Sequence, residues 1–319
     1  VKSIFVTDLT ANVELVNEPF LLHEVTRRKT RDGRPFLLGA LRDKTGQVGC
    51  VFWDVPDYVE AWARSGQVVL TSGRTTIYKD ALQIILTDLN PSQNADMADF
   101  LPTSGRKQAE MLDELSRHVA QLNEPWRTLT GAILLEEPVI SRFAVAPAAR
   151  GMHHAYIGGL LEHSLSMATL AAALAAHYPY VNKDLLIAGA LLHDAGKTLE
   201  YTLDGSFDYT EDGRLVGHIV RAIVMVEQTA AALNFPESEL RQLVHLIASH
   251  HGTHEWGAPV IPKTLEAILL HQLDLLDSRV QGFFDHLDSD NSADDWTIRS
   301  SGMFGTELRR PDRYGSEDE

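Results

Sequence analysis

The chain has 319 residues, 44% hydrophobic and 23% charged, a composition that supplies sizeable cores and a length that favours about two domains. No run nears the roughly 18 uninterrupted apolar residues of a membrane helix, so no membrane partner is expected; Val1-Lys2-Ser3-Ile4-Phe5 also lacks the apolar core of a secretory signal. With Cys50 alone, an internal disulfide and a thiolate-based zinc site are excluded, and fourteen histidines without a disulfide fit a reducing cytoplasm, the expected location.

A net charge of −16 argues against a nucleic-acid partner until its distribution is considered. Residues 1–90 hold 11 basic and 11 acidic residues, so the whole excess lies in residues 91–319. Bound divalent ions would offset negative charge locally.

In chain order, Phe20–Val25 is a predicted strand, and Asp32-Gly33 within Arg31–Arg34 is a strong hairpin turn. Pro35–Leu41 is a second strand, Lys44-Thr45-Gly46 a turn, and Val48–Trp53 a third strand. Val55, Tyr58, Val59 and Trp62 recur at helical spacing, and Gln67–Ser72 and Leu82–Leu86 are β-branched-rich strands. Five strands with a helix between the third and fourth is the order of an OB-fold, a small Greek-key barrel that often binds oligonucleotides.

Asn90-Pro91-Ser92 and Pro102-Thr103-Ser104-Gly105 break the pattern, after which Glu110–Leu122 and Trp126–Leu135 are predicted helices. Further helices follow at Leu160–His177, Lys183–His193, Gly217–Leu233, Ser238–Ser249 and Thr264–Phe284. The expected fold is multidomain α+β, a small N-terminal OB-fold β-barrel followed by an all-α helical bundle. Its parts are 1–90, the barrel; 91–135, a helical linker; 136–287, the bundle; and 288–319, an acidic, partly ordered tail.

The bundle carries His163, His193-Asp194, His218, His250-His251 and Asp274 in that order. Imidazole and carboxylate suit Zn, Fe, Mn and related divalent ions. One histidine on an apolar helix face is usually a satisfied core residue; seven ligand-type residues in this order point to metal. Both adjacent pairs fall at helix ends, where neighbouring side chains can diverge. Lys197, three residues beyond Asp194, suits a phosphate oxygen as a point charge.

These motifs resemble the HD superfamily of metal-dependent phosphohydrolases, and the added His218 and His250-His251 resemble its two-metal subset. The resemblance implies one ion on His163, His193, Asp194 and Asp274 and another on Asp194, His218, His250 and His251, with Asp194 bridging. Asp277, one turn beyond Asp274, is a rival for the last ligand position. Mn²⁺ is the expected ion, with Co²⁺, Fe²⁺, Mg²⁺ and Zn²⁺ as alternatives.

His153-His154-Ala155-Tyr156-Ile157-Gly158-Gly159-Leu160-Leu161-Glu162-His163, Leu192–Lys197, Ser249–Gly252 with Glu255, Gly257 and Pro259, and Leu270–Asp277 are similar to the YhaM-type 3′→5′ exoribonucleases. That family places an OB-fold ahead of its HD domain. The resemblance implies hydrolysis of single-stranded RNA, with ssDNA an open alternative, to nucleoside 5′-monophosphates by a two-metal mechanism; a homo-oligomer is left open. Asp194 and Lys197 are the expected catalytic residues. His154 is a candidate for protonating the leaving group, while His153 and His154 fit equally a contact to substrate phosphate or a helix cap.

His271 is expected to pack or to support the ligands from behind. In the barrel, Arg27, Arg28, Lys29, Arg31 and Arg34 form a basic hairpin near Phe36, Phe52, Trp53 and Tyr78, a surface suited to a single strand stacking its bases. Phe52 and Trp53 must face opposite ways, so one of them is core. A cyclic-dinucleotide or mononucleotide phosphohydrolase is the first alternative. Against it, Gly252–Pro259 lacks the immediate Glu and the Gly-Tyr-Pro of HD-type cyclic-di-GMP enzymes. A non-catalytic nucleic-acid-binding protein is the second.

Overall fold

The computed structural model describes residues 2–92, 95–151, 154–202, 207–290, 292, 294–299 and 303–312; His153 and the tail beyond Asp312 lie outside them. The chain forms two compact units, Val1–Thr103 with Thr202–Asp208, and Ser104–Tyr201 with Tyr209–Glu319.

In the first unit, β1 (Glu14–Lys29), β2 (Pro35–Asp43), β3 (Gly46–Trp53), β4 (Gln67–Tyr78) and β5 (Ala81–Pro91) close a barrel in the order β1-β2-β3-β5-β4. All pairings are antiparallel except β3 with β5. Helix α1 (Asp57–Trp62) joins β3 to β4, giving the expected OB topology. Leu37, Leu41, Phe52, Val69, Ile84 and Leu89 point inward and form the core. Gly33, at φ +87°, turns β1 into β2. Strand β1 starts at Glu14, six residues before the predicted Phe20. Its first part pairs with β4 across a bulge between Leu15 and Glu18, which breaks the alternation by which a strand is recognised.

The second unit is helical: α2 (Gln108–Ala120), α3 (Trp126–Leu134), α4 (Val139–Phe143), α5 (Gly159–His177), α6 (Lys183–Leu192), α7 (Lys197–Glu200), α8 (Glu211–Leu215), α9 (His218–Leu233), α10 (Glu237–Ser249) and α11 (Leu265–Ser289). One core runs through it, including Leu115, Leu165, Leu186, Val226, Leu246 and Leu270. Residues 91–135 are more than a linker. Helices α2 and α3 bury Met111, Leu115, Trp126 and Ile133 in that same core, so the bundle begins before residue 136. Amphipathic period shows that a helix buries a face, but not which core receives it.

By length and composition, α5 is apolar enough to cross a membrane, and Glu162, His163, Ser164 and Ser166 hide this from a search for unbroken runs. Half of its apolar window is buried within the bundle. Asn182 and Thr264 cap α6 and α11 by accepting from the amides of Leu185 and Ala267, each cap contributing about 1 kcal/mol. After α11, Arg310 donates to the carbonyls of Leu287, Asp290 and Ser292, fixing part of the acidic tail.

Candidate metal centre

Three helix ends and two helix interiors converge in the bundle. His193 and Asp194 follow the last turn of α6, His218 opens α9, and His250 and His251 close α10. His163 comes from the buried face of α5 and Asp274 from α11. At helix termini the backbone departs from helical geometry, so adjacent side chains can share a centre. Gly196 lets α7 approach α9: a Cβ there would lie 2.0 Å from the His218 carbonyl oxygen.

Asp194 sits in the middle and faces two ways. Its Oδ1 lies 3.5 Å from Nε2 of both His218 and His250. Its Oδ2 lies 3.4 Å from His193 Nε2 and 3.9 Å from His163 Nε2. His163 Nε2 is also 3.3 Å from His193 Nε2 and 3.4 Å from Asp274 Oδ1. With metal–ligand bonds of about 2.0–2.2 Å, two ligands of one ion stand roughly 3.0–3.6 Å apart, so these spacings fit donors around a cation. His163, His193 and Asp274 form one ligand-type group, and His218, His250 and His251 another, with Asp194 between.

The remaining ring nitrogens are already engaged. Nδ1 of His193 meets the Ala190 carbonyl at 2.9 Å, that of His250 the Ile247 carbonyl at 2.7 Å, and that of His251 the Trp256 carbonyl at 2.7 Å. His218 Nδ1 bonds Glu200 Oε1 at 3.0 Å, and His163 Nδ1 bonds Asp277 Oδ2 at 2.7 Å. Each partner is an acceptor, so each Nδ1 carries a proton, and in the neutral form of each ring Nε2 presents its lone pair inward, the arrangement a metal-binding histidine needs. Asp194 Oδ1, His218 Nε2 and His250 Nε2 are buried with no hydrogen-bond partner. Three such atoms at one point are expensive to leave unmatched, and a cation satisfies all three.

The electrostatics agree. Burial lowers the pKa of His250; for His251, burial and then neighbouring His250 push it down to about 4, keeping both rings neutral. Burial opposes protonation of His163, yet hydrogen bonds to Asp274 and Asp277 outweigh it and raise its pKa to about 9. Burial also disfavours charge on Asp194, but Lys197 and His193 hold it ionised. Positive charge is thus favoured between His163 Nε2 and Asp274, whether carried by a proton on that nitrogen or by an ion that replaces the proton.

Asp274 and Asp277 occupy different sides of one ring. Asp274 faces Nε2 with the other inward donors, whereas Asp277 faces Nδ1 and takes a hydrogen bond from Ser166. Lys197 is buried and donates to Asp194 Oδ2 at 2.6 Å. His154 corrects an expectation. It is 3% exposed, with Nδ1 on the Tyr156 hydroxyl at 2.7 Å and Nε2 on Asp277 at 3.0 Å. It lines a separate cavity of about 390 Å³ rather than the cleft over the cluster, so it is not placed to protonate a leaving group. A left-handed backbone at φ +52° turns the ring that way, which no sequence pattern announces. His271 supports from behind, bonding the His250 carbonyl at 2.8 Å.

The cleft over the cluster has a volume of about 490 Å³ and exposes Asp194, Lys197, His250, His251 and Asp274, with Trp256 and Arg279 in its walls. Sequence reasoning missed Trp256, Arg279 and Glu200. Glu200 could have been suspected as an acid within four residues of Lys197 in a run that ends buried.

In the barrel, Arg28, Phe36 and Trp53 are directly opposed across β1, β2 and β3, so they share one face. Phe36 stacks on Trp53 with centroids 4.9 Å apart, and Trp53 is half exposed. In the next row, on the opposite face, Leu37 and Phe52 enter the core, Phe52 being the core member of its pair, while Arg27 stays exposed. Arg27 accordingly reaches the carbonyls of Glu60 and Ala63 at the end of α1, at 2.7 and 3.0 Å. Arg34 pairs with Asp32 at 2.8 Å and Asp54 at 3.2 Å. Arg28, Lys29 and Arg31 are exposed, as is Tyr78, which lies at the far end of β4 outside the aromatic row. All five cations of the basic hairpin are thus exposed, and two of them are also engaged within the barrel, Arg27 by carbonyls and Arg34 by carboxylates.

Residues 160–279 match the HD domain family, residues 24–91 the OB-fold nucleic acid binding domain family, and residues 93–184 the TraI_2 family, described as "Putative helicase". The HD family is metal-dependent, and the clusters described here are of the kind that hold metal ions. The chain is 34% identical over 270 residues to the 3′-5′ exoribonuclease YhaM of Geobacillus sp. (strain WCH70), covering 84% of this chain and 83% of that one. The YhaM proteins of Bacillus subtilis (strain 168) and Listeria welshimeri are 33% and 35% identical, over 84% and 82% of this chain and 86% and 85% of theirs.

Proposed function

The chain belongs to the YhaM 3′-5′ exoribonuclease family, and from that premise we propose that it hydrolyses single-stranded RNA from the 3′ end to nucleoside 5′-monophosphates. The observation that carries the chemistry is Asp194, whose two oxygens address two separate groups of inward-facing imidazoles. His163, His193, Asp194 and Asp274 would hold one ion, and Asp194, His218, His250 and His251 the other. Divalent ions held there would supply Lewis acidity and an activated water for in-line displacement at phosphorus. Mn²⁺ suits this mixed imidazole and carboxylate set better than Mg²⁺, which prefers oxygen.

The protein's own groups prepare the step. Asp277 and Glu200 fix the rings of His163 and His218, so little reorganisation is needed when substrate arrives. Lys197 Nζ keeps its proton, held by Asp194, and adds fixed positive charge beside the scissile phosphate. Water adds to phosphorus, the bond to the 3′ oxygen of the preceding nucleotide breaks, and that oxygen leaves with a proton from solvent in the open cleft. The barrel supplies the exposed row of Arg28, Phe36 and Trp53 for the strand.

Product analysis on a 5′-labelled single-stranded RNA with Mn²⁺ tests this. A ladder shortening from the 3′ end, with nucleoside 5′-monophosphates released, is expected. Internal cuts, or turnover of cyclic dinucleotides in preference to RNA, would overturn it.

A further inference from the structure

Trp256 is a large aromatic residue left 54% exposed in the wall of the cleft. It is held there by its backbone: its carbonyl accepts from His251 Nδ1 at 2.7 Å, and its amide bonds the Thr253 carbonyl at 3.2 Å. The turn that orients a ligand-type histidine thus also presents an indole beside the cluster. Burial does not explain the ring, which has His271 as a tilted neighbour at 6.1 Å and an otherwise open aspect.

Arg279 lies on α11, five residues beyond Asp274 and one turn beyond Leu275, which also lines the cleft. Of the two permanently cationic side chains in the lining, Lys197 is buried and tied to Asp194, whereas Arg279 is exposed. A guanidinium suits a phosphate oxygen pair that an ammonium cannot bridge. The volume of about 490 Å³ falls in the range that accommodates ligands of nucleotide size.

We infer that Trp256 and Arg279 seat the end of the strand: the indole stacks on the 3′-terminal base, and the guanidinium holds the internucleotide phosphate on the 5′ side of the one cleaved. This rests on the exonuclease reading above and adds what it lacks, a contact that registers one nucleotide per cycle. Every base has a π-face, so the seat accepts all four bases. A mononucleotide ester engages Trp256 alone, and a longer strand engages both residues.

Three substrates with Mn²⁺ separate these contacts: bis-p-nitrophenyl phosphate, with neither base nor second phosphate; the p-nitrophenyl ester of uridine 5′-monophosphate, with a base; and a short oligoribonucleotide, with both. Trp256→Ala is expected to lower the kcat/KM ratio of the uridine ester to the bis-ester by about tenfold, mainly through KM, with Trp256→Phe restoring most of it. Arg279→Ala is expected to lower the ratio of oligoribonucleotide to uridine ester by about tenfold, Arg279→Lys by less. Calorimetric binding of uridine 5′-monophosphate should weaken in Trp256→Ala relative to binding of inorganic phosphate.

An equal loss on all three substrates would mean that Trp256 acts only by holding His251, and would overturn the inference. If the wild type hydrolyses none of them, the exonuclease reading fails instead. The calorimetry still decides on the seat, because unchanged affinity of Trp256→Ala for uridine 5′-monophosphate overturns it.

Discussion

Asp277 grips the outer nitrogen of His163 at 2.7 Å while Asp274, three residues earlier on α11, faces the inner nitrogen of the same ring at 3.4 Å. Two carboxylates on one helix face therefore have different tasks. Asp274→Ala is expected to abolish binding at one of the two proposed ion positions. Asp277→Asn keeps the shape but loses the charge, and should weaken metal affinity or activity by about 10- to 100-fold. A Mn²⁺ titration followed by electron paramagnetic resonance distinguishes them. Equal, complete loss in both variants would return Asp277 to candidacy as a ligand.

Metal should stabilise the fold. Asp194 Oδ1, His218 Nε2 and His250 Nε2 lack partners in the protein, and an ion that binds only the folded state adds about 2.7 kcal/mol at a hundred times its Kd. Chelation should lower the thermal midpoint and Mn²⁺ restore it, with Asp194→Ala unresponsive. A wild-type midpoint indifferent to chelator and Mn²⁺ would contradict the site.

Gly252 adopts φ +80°, and a Cβ there would stand 2.2 Å from the His271 ring. Gly252→Ala combines backbone strain with displacement of a ring that holds the His250 carbonyl. A loss of roughly 2 kcal/mol or more in denaturant unfolding is expected. Gly105→Ala, with nothing within 4 Å, serves as control and should stay within about 0.5 kcal/mol.

Cys50 is 1% exposed, and burial pushes its thiol up to about 12 from an ordinary 9.0. At pH 8 the native thiolate fraction is then about one in ten thousand. Iodoacetamide should label the native chain negligibly and the urea-unfolded chain fully. The shift also fixes a direction. Above pH 9 the unfolded chain loses this proton and the folded chain keeps it, so this contribution to stability is complete below pH 9 and declines toward pH 12. Rapid native labelling would show that the barrel core opens readily.

The basic hairpin should divide by mutation. Arg28→Ala is expected to weaken single-stranded RNA binding and to reduce the salt slope by about 0.7 for each phosphate that is no longer neutralised. Arg27→Ala, which frees two carbonyls at the end of α1, should lower thermal stability with a smaller effect on binding. Filter binding over a salt series, paired with melting curves, reads both. A reversal of the two effects would move the binding row to the other face.

Much of this was legible in sequence because it rests on residue type and spacing. Strand order and turns such as Asp32-Gly33 announced the barrel, and His193-Asp194 and His250-His251 announced helix ends bearing ligand-type residues. What escaped depends on direction. His154 is of the right type at the right place in the chain, yet its φ of +52° points it at Asp277 and away from the cleft. Glu200 meets His218 across 18 residues and a second short helix, with no periodicity to relate them. Arg27 and Arg28 are neighbours in sequence and opposites in space, a distinction only the register of three strands reveals.

That barrel closes on itself through the parallel pairing of β3 with β5. Closure leaves only short stretches paired on one side, among them residues 24–29 of β1 and 76–78 of β4, so strand addition, by which many β modules recruit partners irrespective of side chains, has little edge to use. Recognition by this module then falls mainly to its side chains. Its surface residues can therefore be exchanged to redirect binding while the backbone scaffold stays as it is.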